Sequence, residues 1–448
     1  MFFYKRICEQ MFTNKLCGAI IILGRVIFYM SEAMYLCIDL KTFYASVECV
    51  ERGLDPFSTN LIVADSSRGK GTICLAITPK MKMLGVKNRC RVYEIPENIK
   101  YIVAKPRMNK YIEYATNIYG IYLKYVAKED IHVYSIDEAF LDITHYSKIY
   151  KLSPIDLAKK IMKDIYDTYG LTATCGIGTN LYLAKVALDI MSKHTSTNIG
   201  VLDEELYKKE LWHHKPLTDF WQIGRGIEKR LNRLRIYDMY DIAHCKEERL
   251  YKEFGINAEL LIDHSKGIET CNMSDIKSYK PKATSISNSQ ILFRDYNYEE
   301  TKTILKEMVE LKSLELVDKK LKARSICLYI GYSKDIMPSV NCRMKLKEGE
   351  STYNNLIDKF LYLYERNVKR DIPIRRVGVS FGDLIVDSYE QLNILEDYRK
   401  KEKEKNLERA INYIKEREGK NYILKGMSYC EEATGVLRNK LIGGHNAK

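Results

Sequence analysis

Apolar stretches of two kinds alternate through the first 200 residues. Short runs of β-branched and aromatic residues are typical of buried strands, whereas apolar residues three or four apart predict amphipathic helices. Strands are predicted at 35–40, within 131–143 as a pair, and at 172–176; helices are predicted from 43 onward and at 110–125, 153–169 and 180–192. This order predicts one α+β domain around a mixed sheet.

Two adjacent carboxylates interrupt the apolar stretch at 131–143. Asp137 and Glu138 lie near the junction of its two strand-like halves. Because neighbouring side chains of an extended segment point to opposite faces, the two acids can converge only at a turn or a strand end. Converging carboxylates repel each other unless a cation lies between them, and a hard divalent metal ion is the usual solution. A surface hairpin with an acidic tip explains the pair equally well at this point.

A third carboxylate, Asp39, lies near the end of the first predicted strand. The segment has the order strand, carboxylate, turn and helix, and Thr42 is placed to cap the helix. An isolated aspartate at a strand end is often only a helix cap. Asp39 therefore becomes a candidate metal ligand only in combination with Asp137 and Glu138.

The section at 212–243 predicts short helices with little strand character. Gly224 and Gly226 are expected in a tight turn between two helices, followed by several Arg and Lys residues. Glycine lets backbone N–H groups approach a phosphate closely, and a helix N-terminus favours an anion. A helix-hairpin-helix that binds a DNA backbone and an ordinary helical turn fit this spacing equally well.

Strands and long helices alternate again beyond a predicted linker at 278–281. Strands are expected at 283–289, 324–332 and 375–384, and helices at 298–319 and 351–369. Fourteen basic and eight acidic residues lie between 277 and 345, which suits a module lying along a duplex backbone. The mixed charges at 396–420 predict an exposed helix or a solvated tail.

The composition is that of a large, basic folded protein, which either has a polyanionic partner or is an otherwise ordinary enzyme. The 448 residues are 46% hydrophobic, and a chain of this length holds roughly two to four domains. With 72 Lys and Arg against 59 Asp and Glu, the formal charge is +13, which favours nucleic acid or an anionic membrane as partner. The twelve cysteines contain no C-x-x-C pair, a pattern of reduced thiols that argues against a zinc or disulfide framework.

The first 33 residues are predicted to be an extension of doubtful role. Their apolar run is broken by Arg25 and imitates a signal peptide, but no small-residue cleavage site follows cleanly. The run is also too short and interrupted for a comfortable membrane span. We therefore expect the functional chain to begin at Met30 or Met34, in a cytoplasmic protein without a membrane partner; a membrane-anchored enzyme is the alternative.

Four motifs are spread along the first 185 residues. They are C-I-D-L-K-T-F-Y-A-S-V-E at 37–48, L-A-I-T-P-K-M-K-M-L-G-V-K at 75–87, Y-S-I-D-E-A-F-L-D-I at 134–143 and C-G-I-G-T-N-L-Y-L-A-K at 175–185. Together they resemble the Y-family (UmuC/DinB-type) translesion DNA polymerases, and S-I-D-E-A is highly specific for that family. The resemblance extends over residues 35–395 and is closest to the UmuC-like polymerases of Gram-positive bacteria.

The resemblance implies an α+β, multidomain right-hand polymerase. Its parts would be a palm at 34–55 and 106–200, fingers at 56–105, a helical thumb with a helix-hairpin-helix at 201–277, a little finger at 278–390, and a clamp-binding motif with a charged tail at 391–448. Gly224 and Gly226 match the thumb's phosphate-binding turn, so they would bind DNA.

The resemblance also implies the catalytic residues. Asp39, Asp137 and Glu138 would be the catalytic carboxylates, and with the backbone carbonyl of Leu40 they would bind two Mg²⁺ ions. Asp142, in the same predicted strand as Glu138, is taken as a structural residue rather than a further ligand.

Nucleotide binding would fall to four further residues. By position in the motifs they are Phe43, Tyr44, Lys82 and Lys185. The resemblance makes Tyr44 the steric gate that excludes a ribose 2′-OH and places Phe43 beside the sugar. Both lysines would contact the triphosphate. Pro79 departs from the pattern, because many DinB-type members have a triphosphate-contacting tyrosine there.

A short apolar peptide follows the last predicted strand. Gln391, Leu392, Ile394 and Leu395 resemble the peptide that binds the bacterial sliding clamp. The resemblance thus implies an error-prone DNA polymerase in DNA repair that uses dNTPs, primer–template DNA and the clamp. A non-catalytic or weakly active DNA- and clamp-binding relative is the alternative. A nucleotide cyclase with a related palm is disfavoured by the thumb-like hairpin and the basic C-terminal module.

Overall fold

The computed structural model describes residues 33–280, 284–387 and 398–448. The predicted N-terminal extension, apart from its last residue, and the clamp-binding peptide at 391–395 lie outside this range. Contacts divide the chain into two units, one formed by residues up to 41 with 118–277 and the other by 42–117 with 278–448. The domain boundaries implied by the resemblance stay a prediction.

The strands of the described chain are numbered in order. They are β1 (Tyr35–Leu40), β2 (Leu61–Val63), β3 (Ala76–Ile77), β4 (Ile102–Ala104), β5 (Ile131–Val133), β6 (Glu138–Asp142), β7 (Ala173–Gly178), β8 (Ile199–Leu202), β9 (Ser285–Tyr296), β10 (Leu321–Tyr332), β11 (Val340–Glu350), β12 (Ile374–Gly382), β13 (Ile385–Val386), β14 (Leu441–Ile442) and β15 (His445–Asn446).

The α-helices are referred to by their bounds. They are Phe43–Val50, Pro79–Met83, Met108–Tyr122, Tyr146–Tyr150, Pro154–Tyr169, Leu181–Val186, Glu204–Leu211, Arg225–Arg233, Met239–His244, Glu247–Phe254, Asn257–Ser265, Met273–Ser278, Tyr298–Asp318, Tyr353–Asn367, Tyr398–Glu418 and Gly435–Arg438. Together with the strands they confirm the predicted α+β class. None of the described helices has the length and apolar character needed to cross a bilayer.

The first unit contains a five-stranded sheet in the order β5-β6-β1-β7-β8. β1 is central and antiparallel to both β6 and β7, and its apolar residues are buried. The helix Leu181–Val186 packs so closely on β7 that a Cβ at Gly176 or Gly178 would collide with the backbone of Ala184. The two glycines of the C-G-I-G motif therefore permit the close approach of the helix that carries Lys185.

A second core in the first unit lies among its short helices. Tyr182 and Leu183 pack there with Tyr207, Leu231 and Leu250, all of them buried. This arrangement confirms the predicted change from strands to short helices after residue 212.

The second unit contains two separate sheets and a terminal hairpin. β2 pairs with β3 antiparallel and with β4 in parallel. The larger sheet has the order β11-β10-β12-β9, with β13 added on β10. Its core includes Ile304 and Met308 of one helix and Phe360 and Tyr364 of another, all completely buried. β11 was not predicted, although Val340, Cys342, Met344 and Leu346 alternate with polar residues along it and pack against this core.

Capping residues explain where some of the predicted helices begin. Other predicted helix ends differ from those in the structure. Ser153 caps Pro154–Tyr169 as predicted, since its hydroxyl accepts the Asp156 N–H at 3.1 Å. Thr42 precedes its helix but makes no side-chain cap, and its backbone is left-handed with φ of 48°. The helix predicted at 180–192 ends at Val186 and continues as a π-helical turn.

Candidate active site

Neighbouring strands of the first sheet bring the predicted catalytic carboxylates to one place. Asp39 in β1 lies directly opposite Glu138 in β6. The Leu40 N–H donates to the carbonyl of Asp137 at 2.9 Å, so Asp137 lies beside the end of the same strand pair. The backbones of acids that are far apart in sequence thus lie close together at one end of this strand pair.

The electrostatics of this cluster favour a bound cation. Burial, followed by the charges of Asp137 and Glu138, raises the pKa of Asp39 to about 7. Like charges brought together in a partly desolvated place destabilise one another, and a divalent cation between them removes the repulsion. Three carboxylates and a backbone carbonyl are also the hard oxygen donors that Mg²⁺ prefers. The donor set therefore fits a magnesium site.

Glu138 is paired with Lys185. The Lys185 Nζ lies 2.9 Å from Glu138 Oε1 and 3.0 Å from Asp189 Oδ2, and the Lys185 and Glu138 side chains are only 9% and 10% exposed. Burial alone would lower the pKa of Lys185, but the neighbouring negative charges, chiefly Asp189, raise it above its ordinary value. Lys185 therefore keeps its positive charge beside the carboxylates.

The side chains of the three acids do not converge on one point. Among the described residues, no three Asp, Glu, His or Cys side chains are arranged to hold a metal ion. The reason is local, because Glu138 is turned toward Lys185 and Cys37, and Asp137 accepts a 2.6 Å hydrogen bond from Ser135. Metal binding would require these carboxylates to turn from their present partners.

Phe43 and Tyr44 belong to the second unit, on the helix Phe43–Val50. Phe43 is buried and Tyr44 is half-buried. The Tyr44 ring stacks on Tyr111, with ring centroids 4.4 Å apart and planes 19° from parallel. The ring of Tyr44 is therefore supported by a second aromatic ring.

An ionic cluster around the buried Glu48 fixes Tyr111. Its hydroxyl donates to Glu48 at 2.8 Å, and Arg107 donates to both oxygens of Glu48 at 2.9 and 3.0 Å. Burial alone would raise the pKa of Glu48, but hydrogen bonds from Arg107, Arg52 and Tyr111 lower it. Sequence reasoning missed these residues; its only signal was an acid among the apolar residues of a short helix.

Pro79 and Lys82 lie on the helix Pro79–Met83 of the second unit. Thr78 caps this helix and Pro79 occupies its first turn, a position that proline favours. Lys82 is exposed on the same helix. Pro79, which departs from the family pattern, is therefore explained by its position at the start of this helix.

Gly224 and Gly226 lie at the start of the helix Arg225–Arg233. Gly224 is its N-cap, and Gly226 lies inside the helix rather than in a turn between two helices. Both are exposed, and a Cβ at either position would contact no other part of the described chain within 4 Å, apart from its neighbours in sequence and its own helix backbone. This helix start is accessible to an anion such as a backbone phosphate.

Comparisons with known proteins cover most of the chain. A family model described as the impB/mucB/samB family matches residues 38–189, and the model of that family's C-terminal domain matches 283–394. The putative UV-damage repair protein UvrX of Bacillus subtilis (strain 168) is 33% identical over 415 residues, or 92% of this chain and 97% of that protein. DNA polymerase IV 2 of the same strain is 31% identical over 424 residues, which are 93% of this chain and 99% of that protein.

A solved structure shares the fold. The Y-family DNA polymerase chimera Dbh-Dpo4(243-245)-Dbh matches with a TM-score of 0.60 and 21% identity, over 79% of this chain and 99% of the other. The first range matched by the family models contains Asp39, Asp137, Glu138 and Lys185.

Proposed function

Because the chain belongs to the impB/mucB/samB family of Y-family DNA polymerases, we propose that it carries out error-prone translesion synthesis by metal-dependent nucleotidyl transfer. Its substrates would be dNTPs and the 3′-OH of a primer annealed to a template. The observation that carries the proposal is the register that sets Asp39 opposite Glu138, with Asp137 at the same strand end.

The carboxylates would act as the ligands of the metal site. Two Mg²⁺ ions held by Asp39, Asp137, Glu138 and the Leu40 carbonyl would stabilise the attacking 3′-oxygen and the leaving pyrophosphate. Lys185 supports this role, since it places a permanent positive charge beside the acids, where a triphosphate needs one. Lys82, exposed on its helix, would be a second contact for the triphosphate.

Two aromatic residues would select the sugar. We assign Tyr44 as the gate against a ribose 2′-OH and Phe43 as its neighbour beside the deoxyribose. The stacking of Tyr44 on Tyr111 supports this assignment, because a gate must hold its position when a ribonucleotide enters. Gly224 and Gly226 would bind the DNA backbone through the N-terminus of their helix.

Incorporation of single nucleotides tests the proposal against the non-catalytic alternative. The purified chain, given an undamaged primer–template, Mg²⁺ and one dNTP at a time, is expected to add the nucleotide complementary to the template base. Retained DNA binding without addition of any nucleotide would favour the non-catalytic relative. The presence of all three carboxylates and Lys185 favours the enzyme.

The peptide from Gln391 to Leu395 is proposed to bind the sliding clamp through Leu392, Ile394 and Leu395. It lies outside the described residues, so its support is the sequence pattern alone. Replacing Leu395 by alanine is expected to abolish retention of the chain on immobilised bacterial clamp while primer extension without clamp stays unchanged. Equal retention of the Leu395→Ala variant and the unmodified chain would contradict the clamp-binding role of this peptide. A polymerase with these partners would work in the cytoplasm.

A further inference from the structure

The C-terminal tail, residues 419–448, has no role in the function proposed above. It lies beyond the range that the family models match, which ends at 394. The described tail nevertheless folds, into a 3₁₀ turn at Gly426–Tyr429, the helix Gly435–Arg438 and the hairpin of β14 and β15. We follow its contacts with two parts of the second unit, the small module (residues 56–105) and the C-terminal module (residues 284–387).

The middle of the tail is anchored on the C-terminal module by a buried carboxylate. Glu307, only 4% exposed, accepts the backbone N–H groups of Thr434 at 2.9 Å and Gly435 at 3.0 Å. A side chain at Gly435 would collide with the Glu307 carboxylate, so glycine is required for this approach. A buried carboxylate that loses its hydrogen-bond donors is left unsatisfied, which is costly, and this anchor is therefore strong.

Further hydrogen bonds surround this anchor. The Tyr296 hydroxyl donates to the carbonyl of Glu432 at 3.1 Å, and Thr303 donates to the Glu432 carboxylate at 2.7 Å. Arg438 donates to Gln290 at 3.0 Å. Residues of β9 and of the helix Tyr298–Asp318 thus hold one continuous section of the tail.

The end of the tail lies on the small module and the helix that follows it. Arg68 donates to the carbonyl of Gly444 at 2.8 Å, and the Asn109 N–H donates to the carbonyl of Ala447 at 3.0 Å. Gly443 and Gly444 form the hairpin turn with φ of 59° and 83°, a conformation that favours glycine at both positions. Asn109 lies in the first turn of Met108–Tyr122, where N–H groups have no partner within the helix.

Arg68 joins three parts of the second unit. Besides the tail carbonyl, it pairs with Asp65 of its own module at 3.2 Å. Its guanidinium also lies over the ring of Phe293 in β9, 5.6 Å from the ring centroid. The tail hairpin therefore binds where the small module meets the C-terminal module.

We propose that the tail is an intramolecular strap that holds the C-terminal module on the small module and so arranges the DNA-binding surfaces before DNA arrives. This inference rests on the proposed function, since it concerns how the polymerase binds primer–template. Surfaces held in their bound arrangement lose less conformational entropy when the ligand binds, which strengthens binding. A tethered contact also acts at a high effective concentration, so a few hydrogen bonds are enough.

The two ends of the strap differ in strength. The anchor at Glu307 is buried, whereas the contacts at Arg68 and Asn109 are two hydrogen bonds to the last residues of the chain. The strap is therefore expected to stay on the C-terminal module and to release the small module first.

Truncation after Asn439 tests the strap, because it removes the hairpin and leaves the Glu307 anchor intact. Fluorescent dyes attached through unnatural amino acids at the exposed positions Lys87 and Lys369 report the distance between the two modules. Truncation is expected to broaden the distribution of energy transfer and to weaken primer–template binding about fivefold. The single-turnover incorporation rate at saturating DNA and dNTP is expected to stay within about twofold of the full chain's rate, since these residues take no part in the chemistry.

A matched control and a second variant complete the test. Tyr429→Ala changes a side chain of the tail that is 74% exposed and is expected to leave energy transfer and binding unchanged. Gly435→Val disrupts the anchor at Glu307. It is expected to broaden the distribution of energy transfer and to weaken primer–template binding, as the truncation does. An unchanged distribution of energy transfer in the truncated chain would overturn the strap, and unchanged or tighter DNA binding would overturn its role in arranging the DNA-binding surfaces. Neither readout requires catalysis, so failure of the proposed function is detected separately.

Discussion

Primer extension is expected to fall by about 1,000-fold or more when Asp137 is replaced by alanine or Glu138 by glutamine. Each change removes a carboxylate from the proposed metal site at the end of β1 and β6. Glutamine is chosen at 138 because its amide oxygen can still accept a hydrogen bond from Lys185, which lies 2.9 Å from Glu138 and retains Asp189 as an ionic partner. Single-turnover incorporation of a correct dNTP measures the effect.

DNA binding and a neighbouring acid supply the controls for this prediction. Primer–template affinity is expected to stay unchanged or to rise, since each variant removes a negative charge near the DNA. Asp142→Asn, in the same strand, is expected to keep activity within about twofold, because the Asp142 carboxylate accepts its hydrogen bonds from Thr144 and lies outside the proposed metal site. Undiminished synthesis by the Asp137 and Glu138 variants would refute the site.

Discrimination against ribonucleotides is expected to fall by about 100-fold in Tyr44→Ala, equivalent to about 2.7 kcal/mol of transition-state free energy. The Tyr44 ring stacks on Tyr111, the Tyr111 hydroxyl donates to the buried Glu48, and Arg107 in turn donates to Glu48. A ring supported in this way cannot easily turn aside, so in the proposed gate a 2′-OH would meet a rigid obstacle. The measurement is the ratio of kcat/KM for dCTP to that for CTP opposite template guanine.

The matched control for the gate keeps the ring. Tyr44→Phe is expected to discriminate as the unmodified chain does, because the proposed exclusion depends on the volume of the ring and not on its hydroxyl. Equal discrimination against ribonucleotides by Tyr44→Ala and the unmodified chain would contradict the gate role of Tyr44. A loss of kcat/KM for both sugars alike would instead indicate a structural role in the Phe43–Val50 helix.

Local signals predicted much of the fold. The Ser153 cap followed by Pro154 fixed the start of a helix, and apolar runs located β1 and β7. β11 was missed although Val340, Cys342, Met344 and Leu346 alternate with polar residues, which is the pattern of a half-buried strand, and pack on the core beside β10. The break after Val186 also carries no local sequence signal.

The candidate site was predictable where a motif names its members. Asp39, Asp137 and Glu138 were predicted together from their motifs; the strand register sets Asp39 opposite Glu138, and Asp137 lies beside the end of this pair, although the three side chains do not converge on one point. The ion pair of Glu138 with Lys185 was not foreseen, because it depends on how closely a helix packs on β7. The support of Tyr44 by Tyr111 was missed for a similar reason, since it joins helices that are distant in sequence.

Running-start primer extension past damaged bases tests the central claim most directly. The full chain is given templates containing a thymine dimer or an abasic site, matched undamaged templates, all four dNTPs and Mg²⁺. Synthesis on the undamaged templates and products extended beyond at least one lesion are the predicted result. Copying of the undamaged templates with complete arrest one nucleotide before both lesions, or no synthesis on any template, would contradict the account.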